Sequence, residues 1–272
     1  MASKPATMDF EGKVVLVTGA SAGIGEAIAL LFARRGAKLA LVGRNESALR
    51  AVAERCRASG RDALPLVADL ATDAGCENVA KLTLEHFGRL DVLVNNAGVG
   101  ARTTLEKTDM EIFDQVFALN VRAVYNLTRL LAPALVATRG NVVNISSIAG
   151  STTYVGCLPY SMSKAALDHF TNLTALELAP KGVRVNTVSP GLTASTFVQR
   201  LTGYTDEEYA AWLQQSERGI PLGRACAGHD VAAMVAHLAS DASALVTGVN
   251  VPVDGGLRFN VVATDLVKKQ VK

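Results

Sequence analysis

In the run YSMSK, Tyr160 and Lys164 stand four positions apart, which on a helix places both side chains on one face. A phenol can hand a proton to a developing alkoxide or take one from an alcohol, but its ordinary pKa is about 10. A nearby ammonium favours the phenolate and lowers that value, at about 1.4 kcal/mol for each unit. Tyr160 is therefore the candidate general acid for reducing a carbonyl and general base for oxidising an alcohol, with Lys164 as its tuning charge. Ser147, thirteen residues earlier, can donate a hydrogen bond to the same substrate oxygen. Alone, Ser147 would read as a hydroxyl capping the next turn, and a Tyr-x-x-x-Lys pair alone is common on helices; together they point to chemistry. Cys157, three residues before Tyr160, has no histidine near it in sequence, so it reads as a pocket-lining thiol and not a nucleophile.

Such a site needs a partner for the proton, and TGASAGIG (residues 18–25) offers a place for one. Gly19, Gly23 and Gly25, with Ser21 and Ile24 between them, lie between the apolar run KVVLV and a helical pattern. A strand that turns at once into a helix points unpaired backbone N–H groups outward, and with the helix dipole they attract phosphate. Glycine lets the backbone turn tightly and approach a ligand closely. Glycine spacing alone is weak evidence, and this G-x3-G-x-G differs from the common G-x-G-x-x-G. Other marked residues fall at strand ends as well: Arg44 and Asn45 after KLALVG, Asp69 and Leu70 in VADL, Asn96, Ala97 and Gly98 in VNNAG, and Pro190, Gly191 and Thr193 in SPGLT. Asn120 sits mid-helix in FALNVRA.

The elements that must carry these residues follow from the hydrophobic pattern. KVVLVTG, KLALVGR, ALPLVAD, DVLVNNAG, NVVNISS, VRVNTVSP and VNVPVDGG are mostly apolar at successive positions, as strands buried on both faces are. Helical spacing separates them over residues 25–34, 48–57, 78–87, 112–136, 163–178 and 230–238. This alternation predicts an α/β, doubly wound Rossmann fold with about seven parallel strands flanked by helices. In such sheets the strand ends converge on one cleft. One domain over residues 1–272 is expected, with its core at about 10–256, a substrate loop at about 192–224 and a short C-terminal tail. Within that loop, TDEEYAAWLQQ reads as a helix capped by Thr205.

Composition excludes several classes. The 272 residues are 49% hydrophobic and carry a net charge of only +2, with no basic stripe, so nucleic-acid binding is not expected. The locally basic VKKQVK reads as a solvated tail. Four scattered cysteines without a C-x-x-C pair read as free thiols in a reducing compartment, and four scattered histidines predict no metal site. No apolar run is long enough to span a membrane and MASKPATMDF is no secretory signal, so a cytoplasmic protein is the expectation.

In order and spacing, TGASAGIG, NNAG, Asn120, Ser147, YSMSK and PG resemble the short-chain dehydrogenase/reductase family in its single-domain form, from about Lys13 to Gly256. The chain is similar to the members labelled 3-oxoacyl-carrier-protein reductase-like. The resemblance implies a nicotinamide cofactor held along the strand ends, Lys164 also on the nicotinamide ribose, and a proton-relaying water ordered by Asn120. It further implies Asp69 on the adenine, one of Thr193, Ser195 or Thr196 on the nicotinamide amide, and a homotetramer or homodimer built on the two long helices and the last strand. NADP(H) is expected over NAD(H): an acidic residue at the end of the second strand would repel a 2′-phosphate, but Gly43 stands there, followed by Arg44. Against this, Ala22 stands in the turn where some members have a second basic residue. The candidate pocket wall is apolar: Val99, Tyr154, Val155, Leu158, Leu192, Phe197, Leu201, Tyr204 and Trp212. It suits a hydrophobic ketone or secondary alcohol such as a steroid, retinoid or terpenoid. A 3-oxoacyl thioester stays open, with Arg102, Arg122 and Arg129 as a candidate patch for an acidic carrier. So does a non-catalytic NADP-binding sensor, although a sensor has no need of a general acid.

Overall fold

Seven of the apolar runs become strands. They are β1 (Val14–Thr18), β2 (Lys38–Gly43), β3 (Ala63–Val67), β4 (Val92–Asn95), β5 (Asn141–Ile145), β6 (Arg184–Pro190) and β7 (Asn250–Val253). This computed structural model describes residues 9–153 and 155–259, so the leading residues, Tyr154 and the VKKQVK tail lie outside the described residues. The strands form one parallel sheet in the order β3-β2-β1-β4-β5-β6-β7. The chain winds outward from β1 through β2 and β3, then returns to β4 beside β1 and winds the other way. That reversal opens a crevice above the carboxyl ends of β1 and β4.

The helices cover both faces. α1 (Gly23–Arg34) and α9 (Gly228–Ala239) pack on one side, with α2 (Glu46–Arg57) beside them; α3 (Asp73–Phe87) covers the other. Phe10, Ile28, Phe32, Leu39 and Leu41 centre the first core, and Leu16, Leu90, Leu93, Leu127 and Leu131 the second, all fully buried. Residues 112–136, expected as one helix, are instead α4 (Met110–Phe117) and α5 (Ala123–Thr138) joined by a wide π turn over Ala118–Arg122. α6 (Leu158–Leu178) is a single long helix, opened by Pro159 in its first turn. A polar ladder fixes it over the sheet: Asn95 donates to Asn144 (2.9 Å), Asn144 to Thr171 (2.9 Å), and Thr171 meets Thr187 (2.7 Å). These groups are buried, so each bond left unmade would cost a desolvation penalty, which fixes the setting of the helix.

The stretch after β6 carries α7 (Thr196–Thr202) and α8 (Asp206–Glu217). Thr205 caps α8 as its sequence predicts, and Glu208 answers with the reciprocal bond to the Thr205 N–H (2.9 Å). α7 lies directly on the loop after β4: a Cβ on Gly100 would come 2.9 Å from the Phe197 ring.

Candidate active site

The first support of the site is the glycine turn. Gly19 has φ +65°, and a Cβ on it would meet the Asn96 amide nitrogen at 2.8 Å. On Gly25 a Cβ would fall 2.2 Å from the Gly19 carbonyl oxygen. The turn is thus closed on itself and on β4. Asn96 donates to the carbonyls of Thr18 (2.8 Å) and Gly19 (3.2 Å), and the Thr18 hydroxyl accepts from the Asn96 and Ala97 N–H groups. The Asn96 amide nitrogen therefore holds the turn, and Asn96 also lines the crevice. Gly25→Ala will lower the unfolding free energy by the ~1–3 kcal/mol typical of overpacking, and with it the melting temperature and nucleotide binding. A thermal melt matching that of the parent protein would contradict this.

Ala22 has no side chain to cap α1, and with Gly23, Ile24 and Gly25 it lines the crevice, a cavity of about 540 Å³. The uncapped first turn is where an anion would rest. Gly19 and Ser21 line it too, followed by Arg44 and Asn45 past β2, Asp69 and Leu70 past β3, and Asn96, Ala97 and Gly98 past β4. Pro190, Gly191 and Thr193 past β6 complete the row. Every strand-end residue singled out from sequence thus faces one cleft. Arg44 is exposed and makes no ion pair among the described residues. A Cβ on Gly43 would meet Ser21 at 3.3 Å, so any side chain at 43 would crowd this corner. The Asn45 side-chain oxygen caps α2 by accepting from Ala48 N–H (3.0 Å). Of the three competing hydroxyls, Thr193 donates to Gly191 (3.1 Å) and Ser195 to Thr193 (3.4 Å). Thr196 makes no hydrogen bond among the described residues and also lines the cleft.

At the other end of the cleft stand Ser147, Tyr160 and Lys164. Ser147 follows β5, and its hydroxyl accepts from Ala149 N–H (3.1 Å) while hydrogen-bonding to the phenol. Lys164 is buried; its Nζ donates to the Ile145 carbonyl (2.9 Å) and lies 5.6 Å from the centre of the Tyr160 ring. Here the electrostatics depart from expectation. Burial pushes the Tyr160 phenol up to about 12, against the hydrogen bond from Ser147, and Lys164 does not reverse it. Its ammonium lies over the ring and is tied to Ile145 instead of reaching the hydroxyl. Burial also pulls Lys164 down to about 8.

That shift carries a stability consequence. The folded chain loses the Lys164 proton near pH 8, the unfolded chain near 10.5. Below pH 8 both states hold the proton and the buried charge costs the fold its full penalty; between 8 and 10.5 the penalty fades. Measured without added nucleotide, the unfolding free energy of the parent will rise between pH 8 and 10, and Lys164→Met will lose that part of the rise, whatever its stability at pH 7. A Met variant whose stability climbs over that range as steeply as the parent's would contradict this.

Asn120 is buried in the π turn. It accepts from Val99 N–H (2.9 Å) and donates to the Val99 carbonyl (2.8 Å) and to Ser163 (3.0 Å), which donates to the Tyr160 carbonyl (2.7 Å). Both amide hydrogens of Asn120 are thus taken by protein partners, and its oxygen by one. Ser163, unmarked in the sequence reading, joins it to the helix of Tyr160; its place one position before Lys164 is the signal that was there.

The pocket wall includes Val155, Leu192, Phe197, Leu201 and Trp212, with Phe197 over Tyr160 (ring centres 6.0 Å apart). Val99 and Leu158 do not line it, and Tyr204 packs behind Trp212. Of the candidate basic patch only Arg102 faces the cleft. Arg122 forms a two-pronged pair with Asp73 (3.2 and 2.5 Å), and Arg129 donates to Asn126 (2.8 Å). Among the described residues no helix is long and apolar enough to cross a membrane.

Comparison with known proteins agrees with this geometry. A family model described as enoyl-(acyl carrier protein) reductase matches residues 19–258. An uncharacterized oxidoreductase of Mycobacterium tuberculosis is 38% identical over 92% of this chain and 93% of its own length. The 3-oxoacyl-(acyl-carrier-protein) reductase FabG of Escherichia coli is 35% identical over 92% of this chain and 99% of its own. Among solved structures, a short-chain dehydrogenase/reductase from Caenorhabditis elegans with cofactor superposes with a TM-score of 0.86 at 34% identity, covering 92% of this chain and 97% of that one.

Proposed function

Because this chain belongs to the short-chain dehydrogenase/reductase family, we propose that it is an NADP(H)-dependent oxidoreductase that interconverts a hydrophobic ketone and its secondary alcohol. The observation that carries the reading is the opening of Ser147, Tyr160 and Lys164 into the same cleft as the uncapped glycine turn. A nucleotide fits that cleft by its donors: backbone N–H groups at the start of α1 for the pyrophosphate, and Arg44 with Ser21, beside the side-chain-free Gly43, for a 2′-phosphate. When bound, the nicotinamide supplies the hydride.

The protein's own residues do the rest. Ser147 donates to the carbonyl oxygen of the substrate and steadies its growing charge. Tyr160 gives that oxygen its proton. Burial keeps the phenol protonated, so it carries the proton that reduction consumes. Lys164 adds positive charge beneath the ring, and Thr196 offers a free hydroxyl toward the nicotinamide amide. Phe197, Leu201 and Trp212 exclude water around the reacting oxygen. The test is NADPH consumption across a panel of apolar ketones; silence with every member, despite tight NADPH binding, would refute the reading.

A second reading, reduction of a 3-oxoacyl thioester, is favoured by the similarity to FabG and by Arg102, exposed at the cleft and in no ion pair among the described residues. Turnover of a 3-oxoacyl thioester that outpaces every simple ketone would select it. We propose further that the protein is a homodimer or homotetramer. The face between α4, α5 and α6 leaves a groove lined by Phe117, Val121, Tyr125 and Phe170, and Leu173 and Leu176 stand exposed farther along α6. Light scattering that returns a monomer mass would overturn this.

A further inference from the structure

Asp168 has no part in the chemistry described above. α6 places it one turn beyond Lys164, so Tyr160, Lys164 and Asp168 run down one face. Its carboxylate lies against Gly150, which ends the short turn that begins at Ser147. A Cβ on Gly150 would come 2.7 Å from Asp168 Oδ2 and 3.0 Å from the Lys164 carbonyl carbon. Ser146, next to Ser147, donates to the Lys164 carbonyl (3.2 Å); burial pushes the Asp168 carboxyl above the usual carboxylate range, and the Ser146 hydroxyl, Lys164 and the Asn250 side chain at the head of β7 pull it back. Asp168 Oδ1 is buried and accepts no hydrogen bond among the described residues. A carboxylate thus sits where helix, catalytic loop and last strand meet, with one oxygen unused.

A buried charge needs an opposite charge. One turn apart on α6, Lys164 is the charged group that acts on Asp168 and Asp168 the one that acts on Lys164, across a gap and not as a direct ion pair, since the Lys164 Nζ donates to the Ile145 carbonyl. Neither residues 146–150 nor the head of β7 at Asn250 brings another titratable group; on α6 the others nearby are Tyr160 and the exposed His169, with Cys157 at its cap. We propose that Asp168 is a positioning residue of this site: its carboxylate is the counter-charge to the Lys164 ammonium, and it fastens the loop of Ser147 to the helix of Tyr160 and Lys164. Lys164, already held near 8 by burial, would lose its charge at neutral pH without that support. The proposal rests on the functional reading above only in its kinetic consequence.

The experiment compares the parent protein with Asp168→Asn, of nearly the same shape, and Asp168→Glu, which keeps the charge. Lysine labelled with carbon-13 reports the titration of Lys164, assigned by its loss in Lys164→Arg. Asp168→Asn will lower the Lys164 midpoint by about one unit, a tenfold change in proton affinity, and Asp168→Glu will lie nearer the parent. The alkaline fall of kcat will move by the same amount, while the KM for NADPH stays within about twofold. Equal midpoints in parent and Asn variant, or equal drops in the Asn and Glu variants, would overturn the proposal. Should the Asn variant not fold, Asp168→Ser carries the same comparison. If no ketone is turned over, the functional reading fails while the lysine titration still decides the role of Asp168.

Discussion

Tyr160→Phe will lower kcat for ketone reduction about 10³-fold and leave the Kd for NADPH within about twofold of the parent value, in line with the 10²–10⁴-fold typical of a general acid. The change removes one oxygen and keeps the ring that packs beside Phe197. Ser147 and Lys164 stay in place, because Lys164 is held by the Ile145 carbonyl and not by the phenol. What disappears is the proton source, and with it the partner of the Ser147 hydroxyl. Stopped-flow transfer and equilibrium binding separate the two effects. A variant that reduces ketones at the parent rate would place the proton elsewhere and leave Tyr160 a wall residue. A parent protein that binds NADPH but is as inert as the variant would support the sensor reading.

Arg44→Ala will weaken NADPH binding by about 10- to 100-fold and leave NADH binding nearly unchanged. The estimate is the ~1.5–3 kcal/mol of hydrogen bonds to a charged group, at about 1.4 kcal/mol per tenfold. Among the described residues no carboxylate competes for the guanidinium, since Arg44 makes no ion pair there. Nor does a carboxylate at the end of β2 repel a 2′-phosphate, because Gly43 stands there against Ser21. Binding titrations of both nucleotides to both proteins read this directly. If the parent prefers NADH, Arg44 is a bystander and alcohol oxidation becomes the first activity to seek.

The strands and the cleft were legible in sequence because they rest on local signals. Unbroken Val, Leu and Ile runs mark strands buried on both faces, and glycine turns mark where they end. What eluded the sequence depends on contacts between distant residues. Arg122 meets Asp73 forty-nine positions away, so it leaves the basic patch it was assigned to. Asn120 gives both amide hydrogens to Val99 and Ser163, and the helix around it opens into a π turn that periodicity does not report. Asn96 marks a strand end, and its second duty, tying the glycine turn through its amide nitrogen, shows only in the fold. The phenol of Tyr160 moves upward and not downward because desolvation, invisible in a spacing of four, outweighs a lysine whose ammonium points at Ile145. Asp168 was within reach, one turn past Lys164, but only the missing Cβ of Gly150 shows that room was kept for it.

The most direct test of the account is a single-turnover reaction of enzyme and NADPH with an apolar cyclic ketone, following NADPH absorbance and alcohol formation together, for the parent protein and Tyr160→Phe. The account predicts one alcohol formed for each NADPH oxidised in the parent, and a rate about 10³-fold lower in the variant at equal NADPH occupancy. Equal rates in the two proteins, or NADPH oxidation without alcohol, would contradict it.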